Sequence, residues 1–216
     1  MFVGWIFLQI LAFANCVSDE DFFPFGESAG DLKLPARKHA FGKVLMLNGT
    51  YSFYNTGHKQ LQVYGDGIIT LGKSSLSHTA LKHRKFPFPP NTPSVAVFYA
   101  PIEVGKLSEV FHRETRNESV LKKATDHVRW SFTREQDFVA SSVFIATWKN
   151  VIHADNRLPS KSNTFQVVLI TDGQRTFSLF NYKDNGLQWI KGYHVQYQGF
   201  RFFDAQVGFS AGDQVR

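Results

Sequence analysis

Cysteine is nearly absent: the 216 residues contain one, Cys16. No disulfide framework is available and no zinc site built on paired thiolates can form, so the fold must rest on its apolar core. Charge is also sparse, at 19% of residues, against 43% hydrophobic and 15% aromatic. That balance excludes a disordered tail and supplies one good core for a single domain of ordinary size. Internal repeats and low-complexity tracts are missing. What the chain has in excess is phenylalanine, 22 residues, which favours strands and packed interiors.

Residues 1–16, MFVGWIFLQILAFANC, carry no charge, and their apolar run is short for a bilayer span. Ala14 and Cys16 lie three and one positions before a cut that would expose the acidic VSDED. The segment reads as a secretory signal peptide without the usual leading basic residue; a signal anchor is the alternative, but no stop-transfer pattern follows. Cleavage after Cys16 leaves a chain free of cysteine, whereas cleavage after Ala14 leaves a free thiol near the new terminus. Two sequons suit the same compartment, Asn48-Gly49-Thr50 and Asn117-Glu118-Ser119, so Asn48 and Asn117 are candidate glycosylation sites. Each has a plainer reading, Asn-Gly as a hairpin turn and Asn117 as a helix cap. Both readings put the residues at the surface.

The formal net charge is +6. Its one dense cluster, Lys82, His83, Arg84 and Lys85, is a candidate contact for a polyanion; in a secreted protein that means sulfated glycans and no nucleic acid, with a solvated loop as the alternative.

Period-two patterns dominate. HVRWSF at 127–132 reads as a half-buried strand, and TFQVVLIT at 164–171, apolar on both faces, as a central one. DGQR at 172–175 has Asp-Gly turn chemistry and leads into TFSLFNY, a hairpin. Further runs are KVLML (43–47), LQVY (61–64), IITL (68–71), VAVFYA (95–100) and VFIATW (143–148). One exception is NESVLKKATDHV, where Leu121, Ala124, Thr125 and Val128 fall at helical spacing and predict a short amphipathic helix over an edge or end. Residues 77–93, with four prolines between 87 and 93, predict a long loop. The sum is a mainly β, single-domain sandwich or barrel-like fold with one short helix.

Motifs that carry chemistry are wanting. Gly208, Ser210 and Gly212 complete G-x-S-x-G, but a nucleophile elbow needs a following helix and a downstream histidine, and only four residues, none of them His, follow Gly212. His78 and His83 are not spaced as helical metal ligands, no pair of carboxylates stands out for glycoside chemistry, and no phosphate-binding glycine loop exists. No catalytic residue, cofactor or metal is assigned.

The stretch FFPFGESAGDLKLP at 22–35 resembles the opening of the nidogen (entactin) N-terminal globular domain. LNGTYSFYNTGHKQLQVYGDGIITLG, ATWKNV, NTFQVVLITDGQRTFSLFNY, LQWI and VGFSAGD are similar to the domain shared by nidogens, tectorins and some mucins. The resemblance spans residues 22–213. It implies a signal at 1–16, a short acidic segment at 17–21 and a nidogen-type (NIDO) domain over 22–216, with VGFSAGD a closing strand and turn in which Ser210 is structural. It further implies a non-enzymatic, secreted extracellular-matrix module contributing to cell–matrix adhesion or basement-membrane organisation, its partners matrix proteins or sulfated glycans, with no membrane span after signal cleavage. In nidogens, later modules carry most attachment to laminin, collagen IV and perlecan; the chain is then a minimal member or part of a longer one. Two departures stand out: ARKHA at 36–40 replaces an acidic pair, and in VAVFYAPIEV Pro101 takes an acidic position, leaving Glu103. The competing reading is a secreted lectin-like or lipid-binding sandwich with exposed Trp or Tyr; a Ser210 hydrolase is a third.

Overall fold

The computed structural model describes residues 14–18, 21–73, 86–88, 91–105, 107–154, 160–196 and 199–213. The strands are β1 Ala14–Val17, β2 Leu32–Lys33, β3 Leu45–Phe53, β4 Thr56–Tyr64, β5 Ile68–Leu71, β6 Ser94–Tyr99, β7 Ile102–Glu103 and β8 Glu109–Thr115. After helix α1, Glu118–Ser131, come β9 Ser142–His153, β10 Asn163–Thr171, β11 Thr176–Leu187, β12 Lys191–Gln196, β13 Gly199–Asp204 and β14 Gln206–Ser210. One sheet runs β1-β11-β10-β9-β8-β2, with β7 also paired to β9, and the other runs β14-β6-β5-β4-β3. β12 and β13 form a separate hairpin. All pairings are antiparallel except β1 with β11. The two sheets face each other without closing, which decides for the sandwich over the barrel.

The sandwich follows from which strand faces are apolar. Tyr51, Phe53, Leu61, Val63, Ile69 and Val97 of the smaller sheet meet Val110, Phe144, Trp148, Phe165, Val167 and Phe180 of the larger in one buried cluster. At its centre the Trp148 and Phe165 rings stack, centroids 5.0 Å apart and planes 16° from parallel. They are cross-strand neighbours on β9 and β10. The Trp148 indole N–H donates to the carbonyls of Tyr64 and Gly65 at 3.2 and 3.1 Å, so the aromatic body fills the core while its polar edge is satisfied by the β4–β5 turn.

β10 is buried at all nine positions because both faces of its sheet are covered. The outer face carries Val143, Ile145, Val168 and Ile170, and α1 lies across it through Val120, Ala124 and Val128. The predicted helix therefore covers a face of the sheet, not an edge or end. It begins at Asn117, whose side chain accepts from the Ser119 and Val120 amides, and it continues through HVRWS. This overturns the strand reading of 127–132: Val128 fits both periods, but Trp130 is 83% exposed, on the helix's solvent side. The opening motif docks on the same face. Gln166, fully buried in β10, accepts from the Phe23 amide at 2.9 Å and donates to the Phe23 carbonyl at 3.0 Å.

The other predicted strands appear with shifted ends: IITL coincides with β5, while KVLML starts two residues early relative to β3. The β10–β11 hairpin closes through Asp172, whose side chain accepts from the Gln174 and Arg175 amides. Asn48-Gly49 is no hairpin turn. The β3–β4 turn is at Tyr54 and Asn55, both in the left-handed region with φ of 45° and 62°, the twist that tight hairpins require. Of the predicted loop 77–93, only 86–88 and 91–93 fall among the described residues; Phe86 and Phe88 pack with Tyr64, Ile68, Ala96 and Tyr99 on the outer face of the smaller sheet.

Because Trp148 both fills the core and bonds the turn, Trp148→Ala should lower unfolding stability by about 3–5 kcal/mol. Urea unfolding of the variant against the parent measures it; a loss below about 1 kcal/mol would show that the core closes around the gap.

Candidate functional site

The turn that Trp148 holds positions a surface feature. Gly67, at φ 79°, follows it because a Cβ there would lie 2.1 Å from the Phe98 carbonyl oxygen. Asp66, between the two glycines, is 2% exposed. One carboxylate oxygen accepts from the Ile102 amide at 2.9 Å, and the other lies 2.7 Å from His39 Nδ1. The Gly65 amide donates to the Ala40 carbonyl at 2.6 Å. A buried carboxylate is tolerable only when so partnered, and its partners here tie residues 36–40 to residues 100–104. These two stretches contain ARKHA and PIEV. They meet directly: Lys38 bridges Glu103 in register and its ammonium is 3.6 Å from that carboxylate, while His39 faces Asp66, so each acid has a partner from residues 36–40.

From this anchor, residues 31–46 arc over β8 and the edge of β4. Arg113 on β8 pairs with buried Asp31, the Leu34 amide donates to Val110, and Gly42 is held by Val63 and by the Gln62 amide. Between the arc and the sheets lies a groove of about 680 Å³, lined by Leu32, Leu34, Pro35, Phe41, Val44 and Leu45. Leu32 and Val44 are 58% and 44% exposed, and neighbouring Met46 is 70% exposed. Lys33, Arg37 and Lys43 line the same groove. Lys33 is paired with Glu109, but no carboxylate among the described residues pairs with Arg37 or Lys43. The Arg37 guanidinium sits 4.5 Å over the Phe41 ring. His112 also lines the groove; it is 4% exposed, and its Nδ1 has no hydrogen-bond partner. Burial pushes its pKa down, outweighing the nearby Asp31 charge, which keeps the ring neutral at pH 7.

Of the residues singled out in the sequence, Ser210, Asn48 and Asn117 fall among the described residues. Ser210 ends β14, is 9% exposed, and its oxygen accepts from the Gly212 amide at 3.3 Å; no imidazole contacts it among the described residues. Gly212, at φ 78°, packs against the Thr92–Pro93 backbone, where a Cβ would lie 2.7 Å from the Thr92 nitrogen, so the motif's glycine serves close packing. Asn48 and Asn117 are both exposed. Lys82, His83, Arg84 and Lys85 lie outside the described residues. Among the described residues no cluster of His, Cys, Asp or Glu could hold a metal ion, and no helix is long and apolar enough to cross a membrane.

Two polar residues that the sequence reading missed lie on β8, EVFHRET. Val110, His112 and Glu114 alternate toward the interior, so period two would have flagged a histidine and a glutamate on a core face. Glu114 reaches across to β3 where its pairing with β4 is interrupted between Met46 and Tyr51. It accepts from the Asn48 and Gly49 amides at 2.7 and 2.8 Å, from the Asn48 side chain at 3.1 Å and from Ser142 at 2.7 Å. Burial pushes the carboxyl up, but these hydrogen bonds outweigh it and hold the group below the ordinary carboxylate value.

The nidogen-like domain family is matched over residues 59–216. Nidogen of Drosophila melanogaster is 32% identical over 189 residues, covering 86% of this chain and 14% of that protein. Nidogen-1 of Mus musculus is 31% identical over 218 residues, covering 96% and 17%, and alpha-tectorin of Homo sapiens is 29% identical over 194 residues, covering 88% and 9%. The chain thus spans less than a fifth of the length of each of these relatives. No solved structure matches it significantly. Fold and relatives define a secreted, extracellular-matrix β-sandwich module. The chain belongs to the nidogen-like domain family.

A carboxylate with a lowered folded pKa binds fewer protons in the native than in the unfolded state, so its contribution is complete above the usual carboxylate range and is lost as pH falls through the lowered value. Glu114→Gln should therefore cost about 1–3 kcal/mol at pH 7, and the gap from the parent should shrink on acidification. Urea unfolding at a series of pH values checks this; a gap independent of pH would reject the ionised clamp.

Proposed function

We propose that the chain is a non-enzymatic module that acts by surface contact in the extracellular matrix, contributing to cell–matrix adhesion or basement-membrane organisation through matrix proteins or sulfated glycans. The observation that carries this reading is the family match over residues 59–216. The +6 formal charge suits a sulfated partner, and the Lys82, His83, Arg84 and Lys85 cluster is the proposed contact. Ser210 has a structural role in this reading.

Residues 1–16 act as a signal peptide, 17–21 as a short acidic lead and 22–216 as the domain. Cleavage after Cys16 would strip Ala14–Cys16 from the edge of β11, where β1 pairs with Phe180–Lys183, and leave that edge to the mature chain. Asn48 and Asn117 carry N-linked glycans. Asn117 combines this with its capping role: the side-chain oxygen binds the helix amides, and the nitrogen makes no hydrogen bond among the described residues.

Expressed with its own signal in a glycosylating host, the protein should bind heparin, laminin, collagen IV or perlecan saturably. Changing Lys82, His83, Arg84 and Lys85 together to Ser should bring heparin elution to lower salt. Absence of saturable binding to all four by a folded, monodisperse product would defeat the adhesive reading, and unchanged elution would clear the cluster. Thr50→Ala and Ser119→Ala, the latter leaving the Asn117 cap in place, should each remove one glycan by intact mass; a mass change equal to the substitution alone would refute that site.

A further inference from the structure

We propose that the groove between residues 31–46 and β8 binds a single amphiphilic anion, an alkyl chain carrying a carboxylate head. The inference goes beyond matrix adhesion and stands on geometry that adhesion does not require. The groove's volume, about 680 Å³, lies within the roughly 300–1,000 Å³ of small-molecule sites, and its walls are predominantly apolar. Leu32 and Val44 leave apolar surface in water there, which an alkyl chain would cover.

Charge selects the head group. Three cations line the groove, and Arg37 and Lys43 have no carboxylate partner among the described residues. Lys33 shares Glu109 with Lys149, whose ammonium is 3.5 Å from that carboxylate. The Arg37 guanidinium lies over the Phe41 ring, and its N–H groups have no carboxylate among the described residues, so they can donate two parallel hydrogen bonds to a carboxylate head. A cationic or uncharged amphiphile would satisfy the apolar wall and leave these groups unused.

On the wall of the groove His112 is buried and stacked near Phe144, its Nδ1 sealed off without a hydrogen-bond partner. Gly42 lies close beside the other ring nitrogen: a Cβ there would lie 3.0 Å from the Leu34 side chain and 3.6 Å from His112 Nε2. The groove thus combines cations with an apolar wall, an arrangement suited to one bound molecule rather than to a flat bilayer surface.

The test is calorimetric titration of the secreted full chain with sodium laurate below its micelle threshold, beside dodecyl maltoside and dodecyltrimethylammonium at equal chain length. Saturable one-to-one binding of laurate, at least tenfold tighter than of either control, is expected. Arg37→Glu with Lys43→Glu should weaken laurate at least tenfold without moving the thermal midpoint, since both side chains are exposed. Val44→Trp, which narrows the wall and leaves the charges intact, should weaken all three amphiphiles. No saturable laurate binding, equal affinity for the three amphiphiles, indifference to the charge reversal, or binding to anionic vesicles alone would each overturn the proposal.

Discussion

The stacked pair of Trp148 and Phe165 is the constraint from which the rest of the molecule hangs. Two sheets with apolar inner faces would slide without a large, shape-specific filler, and these rings supply it from the neighbouring strands β9 and β10. The indole N–H does more than satisfy itself. By binding the Tyr64 and Gly65 carbonyls it fixes the turn that carries Asp66, and Asp66 in turn fastens His39 and the Ile102 amide. The walls of the groove are therefore set from the core outward.

Buried amides do the stapling that cysteine does in many secreted domains. Gln166 joins the opening motif to β10 and also bonds Thr147 and Asn181. Asn163 accepts from the Gln188 and Trp189 amides and donates to the Trp189 carbonyl, holding the chain after β11 against the sandwich. Such networks stabilise because each member is satisfied, and breaking one leaves a buried polar group exposed to an apolar interior. Against that background the unpartnered nitrogen of His112 is conspicuous. It lies on the wall of a groove in which Arg37 and Lys43 have no carboxylate partner among the described residues.

Strand periodicity made the mainly β class legible, and TFQVVLIT with its Asp-Gly turn located the central hairpin almost to the residue. Legibility failed where one pattern served two structures. Val128 suits period two and period 3.6 alike, and only the neighbouring contacts of Ala124 and Val128 with β9 and β10 extend the helix through Trp130. Asn48-Gly49 has the strongest hairpin chemistry in its stretch. Yet Glu114, distant in sequence, claims both amides, and the turn forms at Tyr54-Asn55 instead. Long-range hydrogen bonds to an ionised carboxylate outweighed a local preference.

By itself the sequence determined the strand-rich class, the reliance on an apolar core without disulfides, the family, and the poor context of Ser210 for catalysis. These depend on composition, local period and motif order, all of which are properties of neighbouring residues along the chain. The tertiary structure alone decided that the helix covers a face, that ARKHA meets PIEV, and that Leu32, Arg37, Lys43 and His112 border one groove. Those contacts join residues up to about eighty positions apart, and burial, charge compensation and the groove itself come into being only when the sheets pack.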